Sequence, residues 1–169
     1  RPLKRTQLTG GHPPELAEGM CIGLTVGQDM DPYIVYPDEI GKQLILEVSR
    51  QINEINPNFV FSSIQILRNN RSQGHVGRNN FGNSYTFSSG PMEGGAIWHY
   101  TMQGIEIGAV GAWDYVDGNR PHGSTPFCGS RVALVAFCHE LALKDQARSL
   151  RQELAQLGFP IAAQTDASC

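Results

Sequence analysis

The sequence predicts a mainly β protein with flanking helices. Residues 60–139 contain short β-rich runs separated by Gly, Asn, Asp and Pro, a texture typical of an antiparallel sandwich or barrel. Residues 38–55 and 140–157 instead place apolar side chains at helical spacing. The expected order is therefore a helix, a β-core and a second helix, with the helices covering one face of the sheet.

The individual elements follow along the chain. Residues 1–20 are rich in Pro, Gly and polar residues and are expected to form an N-terminal arm. The helix 38–55 should end before Pro57, because proline cannot continue a helix. The C-terminal helix 140–157 carries one leucine-rich stripe. Strands are predicted near 60–68, 83–89, 95–101, 105–116 and 131–138.

Length and charge restrict the class of protein. At 169 residues the chain is expected to form a single domain over 1–169 with a real core. A net charge of −3 and a pI near 5.9 argue against a nucleic-acid polymer as partner, because phosphate binding requires a basic surface. No run approaches 18 apolar residues, so no membrane partner is expected. The sequence leaves the oligomeric state open.

The cysteines indicate a reducing compartment. Four of them are widely spaced and no C-x-x-C pair occurs, so a zinc ribbon is not expected. A chain of this size does not need disulfides. We therefore expect free thiols and a cytoplasmic location. The four residues are Cys21, Cys128, Cys138 and Cys169.

Two histidines carry the strongest chemical signal. Non-haem Fe(II) oxygenases commonly hold their metal with two histidines and one carboxylate, leaving positions open for cosubstrate and O₂. In sequence this arrangement is His-x-Asp/Glu followed by a distant His. Here His75 is followed two residues later by Gly77, and His122 is the distant histidine. Either the site is inactive, or something else fills the third position. The carboxylates that might substitute are Glu93, Glu106 and Asp114.

The surrounding segments resemble the Fe(II)/2-oxoglutarate-dependent oxygenase superfamily. Its short members have the pattern H-x-D-x-N-N-x-G-x-S, then G-G-x-L-W, then D-G-x-x-P-H-x-T-x-P, then G-x-R. The matching segments here are 75–84, 94–98, 117–126 and 129–131, and the resemblance is strongest over 60–139. It implies a double-stranded β-helix, the cupin-like jelly-roll, and an enzyme that uses Fe(II), 2-oxoglutarate and O₂.

The resemblance also assigns roles to residues. His75 and His122 would be the iron ligands. Arg131 would bind the distal carboxylate of 2-oxoglutarate, which is chemically reasonable because a guanidinium matches a carboxylate bidentately. Asn80 and Tyr85 are further candidates for cosubstrate binding.

Gly77 is the departure from the superfamily pattern. Members with Gly or Ala in place of the carboxylate look like halogenases, because losing the carboxylate opens a coordination position and removes one negative charge. Chloride or bromide would restore both. The expected function is therefore radical halogenation of an unactivated C–H bond in a small molecule, and Arg78 is a candidate to orient halide or substrate. The alternatives are a hydroxylase with a different third ligand, an inactive jelly-roll binding protein and an engineered Asp→Gly chain.

Overall fold

The computed structural model describes residues 3–4, 17–77 and 80–162. Within them the chain forms short β-strands and two α-helices. The helices are α1 (Glu39–Ile55) and α2 (Arg148–Gln156). The strands are β1 (Leu3–Lys4), β2 (Glu18–Val26), β3 (Pro32–Val35), β4 (Ser63–Arg68), β5 (Asn80–Ser89), β6 (Met92–Gly94), β7 (Ile97–Thr101), β8 (Gly104–Ile107), β9 (Trp113–Val116), β10 (His122–Ser124), β11 (Phe127–Gly129) and β12 (Val132–His139).

The described strands form three sheets. The pairs β1–β2, β2–β3, β5–β9, β7–β8, β7–β10 and β6–β11 are antiparallel. The largest sheet has the order β1-β2-β4-β12-β5-β9, with β3 also paired to β2. A three-stranded sheet has the order β10-β7-β8, and β11 pairs with β6. Non-sequential neighbours such as β12 and β5 mean that the strand order is not a simple meander. The predicted fold class, mainly β with flanking helices, is confirmed.

The contacts divide the chain into two compact units. The first contains Arg1–Met20 and Gln65–Ala136, and the second contains Cys21–Ile64 and Phe137–Cys169. The first unit holds β5 to β11 and all the predicted site residues, whereas the second holds both helices. The single domain over 1–169 stays a prediction.

Helix α1 lies where the periodicity placed it, starting one residue later than predicted. Its buried face consists of Ile45, Val48 and Ile52. The Asp38 side chain accepts a hydrogen bond from the Gly41 backbone N–H at 2.8 Å, which satisfies one of the free donors of the first turn.

The predicted continuous helix over 140–157 is wrong. Glu140–Leu143 and Asp145–Ala147 are separate 3₁₀ turns, and only the last part is α2. The buried guanidinium of Arg151 donates to the carbonyls of Ala142 and Lys144 at 2.8 and 2.7 Å. A continuous helix would need those carbonyls for its own backbone, so the side chain favours the interruption.

None of the three strands before α1 was predicted. β2 and β3 form an antiparallel pair, and residues 18–20, assigned to the N-terminal arm, belong to β2. The sequence around Gly23 lacks the alternation of apolar and polar residues that indicates a strand. Gly23 has a φ of +90°, which favours glycine, and its two neighbours, Ile22 and Leu24, are both buried. The remainder of the predicted arm, apart from Leu3–Lys4, lies mostly outside the described residues.

The predicted strand 105–116 is in fact two strands, β8 and β9. Gly108 packs directly against the carboxylate of Asp114, and the intervening residues form a turn that leaves the sheet. Three short strands, β6, β10 and β11, were also not predicted. None of the helices in the described part of the chain has the length and apolar character needed to cross a membrane.

Candidate metal and cosubstrate site

His75 and His122 lie side by side. They form an isolated antiparallel bridge, in which each backbone N–H donates to the other residue's carbonyl at 3.0 Å. Directly opposed residues of such a pair place their side chains on the same face. Their ring centroids are 4.4 Å apart. The fold therefore brings together the two histidines that the sequence singled out.

The hydrogen bonds of both rings fix the same tautomer. The Nδ1 atom of His75 lies 2.8 Å from the Gln73 carbonyl, and that of His122 lies 2.8 Å from the Arg120 carbonyl. A carbonyl only accepts, so each Nδ1 carries a proton, and in the neutral ring Nε2 then has the lone pair. Histidines that ligate metals are commonly oriented in this way. Burial is the main cause that lowers the pKa of His122, which favours the neutral ring that ligation requires.

A tight turn positions His122. The Asp117 carboxylate accepts from the Asn119 backbone N–H at 3.0 Å, and the Asp117 carbonyl accepts from the Arg120 N–H at 3.1 Å. These bonds are typical of an Asp-Gly turn. In the same turn, the Gly118 carbonyl accepts a hydrogen bond from the Gly77 N–H at 2.7 Å. The turn that precedes His122 therefore also contacts the segment that follows His75.

The atoms around Gly77 leave little space for a side chain at this position. A Cβ built on it would lie 3.1 Å from the Gly118 carbonyl oxygen and 3.3 Å from Nδ2 of Asn80. Both separations are tighter than ordinary van der Waals contact. A side chain at position 77 would therefore require its neighbours to move by a few tenths of an ångström. Arg78, the other predicted residue beside this position, lies outside the described residues.

No described carboxylate takes the missing ligand's place. Among residues 3–4, 17–77 and 80–162, no group of three or more His, Cys, Asp or Glu is arranged to hold a metal. Glu93 lies opposite Cys128 in the β6–β11 pair, and Glu106 is exposed on β8. Asp114 accepts from the Ala109 N–H at 3.3 Å, and burial raises the pKa of its carboxyl. A hydroxylase with one of these three carboxylates as its third ligand stays an alternative, although the described residues do not group any of them with two other ligands.

Arg131 is a buried cation and not part of a surface ion pair. Its side chain is 1% exposed, and burial lowers its pKa to about 10. Nε donates to the Gly95 carbonyl at 2.8 Å, Nη1 to the Asn70 carbonyl at 3.2 Å and Nη2 to the Ser88 hydroxyl at 2.8 Å. A guanidinium has five N–H groups, so one N–H remains on each of Nη1 and Nη2. No carboxylate of the described residues lies within 4.0 Å of this charge.

A row of hydroxyls leads away from Arg131. Ser84, Thr86 and Ser88 alternate along β5 and therefore share one face. All three are buried, and the Ser84 and Thr86 hydroxyls have no hydrogen-bond partner among the described residues. A buried polar group without a partner is costly unless a ligand or water satisfies it. An unpaired guanidinium fork and two unpartnered hydroxyls fit an anionic, oxygen-rich cosubstrate such as 2-oxoglutarate.

Sequence reasoning missed this row. The signal was present, since S-x-T-x-S within a predicted strand places three small polar side chains on one face. The structure does not bring Tyr85 to the same place. Tyr85 lies on the opposite face of β5, where its ring centroid is 4.9 Å from that of Tyr115. Its role in cosubstrate binding stays a prediction.

His99 is a third histidine that lies next to the pair. It lies directly opposite His122 in the β10–β7 pair and is 8% exposed. On its other side it is opposite Glu106 of β8. Three histidines therefore lie on adjacent strand positions, in the order His75, His122 and His99.

Replacing Arg131 with glutamine is expected to weaken 2-oxoglutarate binding by about 1.5–3 kcal/mol, the range for hydrogen bonds to charged groups. The amide keeps some hydrogen bonding to the surrounding carbonyls but carries no charge.

Arg71 is a suitable control, because its guanidinium also lies over the Phe127 ring, 5.4 Å from the centroid, against 5.8 Å for Arg131. Arg71→Gln should leave the affinity unchanged. Affinity is measured by anaerobic titration, with circular dichroism to check folding. An unchanged affinity in the Arg131 variant would show that another residue binds the cosubstrate.

Comparison with known proteins identifies the fold. No family model and no curated protein matches the sequence. Among solved structures, a 2OG-Fe(II) oxygenase family oxidoreductase from Burkholderia pseudomallei is similar, with a TM-score of 0.56 and 15% identity over 78% of this chain and 75% of that one. NgTET1 in complex with 5mC DNA is also similar, with a TM-score of 0.56 and 14% identity over 72% of this chain. This chain spans 61% of the NgTET1 chain.

These similarities define the class to which the fold belongs. The chain has the jelly-roll, cupin-like fold of 2OG-Fe(II) oxygenases, as the motifs between residues 60 and 139 predicted.

Proposed function

We propose that this protein is an Fe(II)- and 2-oxoglutarate-dependent halogenase of a small molecule. The observation that carries the proposal is the pair His75 and His122. Their Nδ1 atoms are bound by backbone carbonyls and their rings are adjacent, while Gly77 stands where a carboxylate ligand would be expected. Two neutral imidazoles suit Fe(II), and the described residues supply no third ligand.

The missing carboxylate supports halide as the third ligand. A site with two neutral histidines has one negative charge fewer than a site with two histidines and a carboxylate. A chloride or bromide ion supplies both the charge and the coordination bond. A side chain on Gly77 would require its neighbours to shift by a few tenths of an ångström, which favours a small ligand that is not attached to the chain.

The polar interior supports 2-oxoglutarate as cosubstrate. The free N–H groups on Nη1 and Nη2 of Arg131 form a fork that can donate to both oxygens of one carboxylate. The hydroxyls of Ser84 and Thr86 supply further donors on the same face as Ser88. When bound, iron and cosubstrate would supply the oxidising power to attack a C–H bond with O₂. The protein's part is to hold them and to exclude water.

A cleft beside His99 is the proposed substrate site. It has a volume of about 230 Å³ and is lined by residues that include Asn83, His99, Tyr115 and Arg120. This is smaller than typical pockets for drug-sized ligands, so we propose a small, polar substrate. The DNA in the NgTET1 structure belongs to that protein. The charge of −3 on this chain favours a small molecule over a nucleic-acid polymer.

Product mass tests the proposal. The protein is loaded anaerobically with Fe(II) and 2-oxoglutarate, exposed to O₂ with a panel of small polar compounds, and assayed with chloride, with bromide and with neither. A halogenase yields products whose mass follows the halide supplied. Products that carry only a hydroxyl, whichever halide is present, would identify a hydroxylase. Failure to bind Fe(II) would identify a non-catalytic binding protein.

A further inference from the structure

The tryptophan of β7 lies behind the histidine pair. Trp98 is directly opposite Gly123 in the β10–β7 pair, and the next residue, His99, is opposite His122. Successive side chains of a strand point to opposite faces. The indole is therefore on the face of this sheet that is turned away from His99 and His122.

The edge of the indole reaches two glycines that adjoin the candidate ligands. Gly74 directly precedes His75, and Gly123 directly follows His122. A Cβ on Gly74 would lie 2.9 Å from Cη2 of the indole and 3.1 Å from Cζ2. A Cβ on Gly123 would lie 3.0 Å from Cζ2 and 3.1 Å from Cε2. All four separations are shorter than ordinary van der Waals contact, so one ring packs closely across both backbone segments.

Other contacts hold the same segments and the same ring in place. The Ser124 N–H donates to the Ser72 carbonyl at 3.0 Å, and the Ser72 N–H donates to the Ser124 hydroxyl at 2.9 Å. On the other side of β7, Ile107 is directly opposite Trp98. The Tyr100 ring meets the indole edge to face, with centroids 6.2 Å apart. The indole therefore has packed neighbours besides the two glycines.

We propose that Trp98 is a positioning residue whose indole holds the backbones of His75 and His122 at the separation that one shared ion requires. This inference rests on the proposed function, because it assumes that both histidines ligate Fe(II). Each Nδ1 bonds to a carbonyl only two residues earlier in the chain, so each ring is fixed to its own backbone segment. A shift of either segment would therefore move an Nε2 atom, and metal–ligand distances vary by only about 0.2 Å.

Gly74→Ala is a selective probe of the indole. Apart from the two chain neighbours, the new Cβ would have only Trp98 atoms within 4 Å, and the Gly74 backbone is not in the left-handed region. In the wild type, the added methyl group should displace the ring or the His75 segment. In a Trp98→Ala background, that conflict is gone. Trp113→Ala is the matched control for Trp98→Ala, because Trp113 lies in the same unit and packs on the Phe87 ring, at 5.2 Å between centroids.

The experiment measures Fe(II) affinity and amide hydrogen exchange, and not turnover. Fe(II) is titrated anaerobically in the presence of 2-oxoglutarate. Exchange is followed in the metal-free protein at the N–H groups of His75 and His122, which bond across the bridge. We expect Trp98→Ala to weaken Fe(II) binding about 10- to 100-fold, the range for residues that orient a metal ligand, and to accelerate exchange at both groups.

The remaining variants test whether the effect passes through the ring. Gly74→Ala should weaken Fe(II) binding about tenfold when Trp98 is present, the lower end of the same range, and should cause no further loss in the Trp98→Ala background. Trp113→Ala should keep the wild-type affinity and the wild-type exchange at the bridge. Trp98→Leu, which is shorter but still apolar, replaces Trp98→Ala in every comparison where the alanine variant does not fold.

The outcomes separate this inference from the proposed function. Wild-type Fe(II) affinity in Trp98→Ala would overturn the inference and leave the proposed function standing. Equal losses from Gly74→Ala in both backgrounds would mean that the two sites act independently, which also overturns it. A loss in Trp113→Ala as large as that in Trp98→Ala would assign the effect to general destabilisation and reject the positioning role. If the wild type does not bind Fe(II), the proposed function fails, and the inference fails with it.

Discussion

The His122→Ala variant is expected to lose Fe(II) binding. With only His75 left among the described ligands of the site, one imidazole cannot hold the ion against water. We expect the Fe(II) affinity to fall by more than about 100-fold. Losses of up to about 100-fold follow when only a residue that hydrogen-bonds to a metal ligand is changed, and here the ligand itself is removed. Binding is measured by anaerobic titration with Fe(II) in the presence of 2-oxoglutarate.

His139→Ala is the matched control for this variant. The His139 ring also bonds to the backbone, since its Nδ1 accepts from the Leu141 N–H at 3.1 Å, but it belongs to the second unit. Its removal should cost some stability and leave Fe(II) affinity intact. Wild-type affinity in His122→Ala would show that the metal, if it binds, lies elsewhere.

Gly77→Asp is expected to abolish halogenated product. The new carboxylate would compete for the halide's coordination position as a tethered ligand at high effective concentration. The contacts at 3.1 and 3.3 Å mean that the Gly118 turn must shift slightly to admit it. Hydroxylated product should appear where that shift brings the carboxylate to the metal.

Gly77→Ala separates the steric effect from the ligand effect. It introduces the same Cβ but no carboxylate, so halogenation should persist, although at a reduced rate. Product mass is compared for wild type and both variants, with chloride, with bromide and without halide. Equal loss of halogenated product in both variants would mean that packing at position 77, and not ligand competition, controls the outcome.

The sequence was sufficient to predict helix α1 and to single out the candidate site residues whose type and spacing are distinctive. Helix α1 followed from its apolar spacing, and His75, His122 and Arg131 followed from motifs in which residue type and spacing are distinctive. The interruption before α2 could not be foreseen, because it depends on where the buried Arg151 donates its hydrogen bonds. Asn80 was identified as a candidate, but its neighbours Ser84 and Gly118 were not. Their proximity depends on the path of the chain between β9 and β10, which no local pattern encodes.

The bridge between His75 and His122 also bears on the order of events during folding. The two residues are separated by 47 positions, from 75 to 122, and their backbones bond directly to each other. Closing so long a loop is slow compared with forming a helix such as α1. A metal that needs both rings therefore has no high-affinity site on a partly made chain. Under the proposed function, Fe(II) would bind after this pairing is complete and would then stabilise the paired state by mass action, so the ion would consolidate the fold late and would not nucleate it.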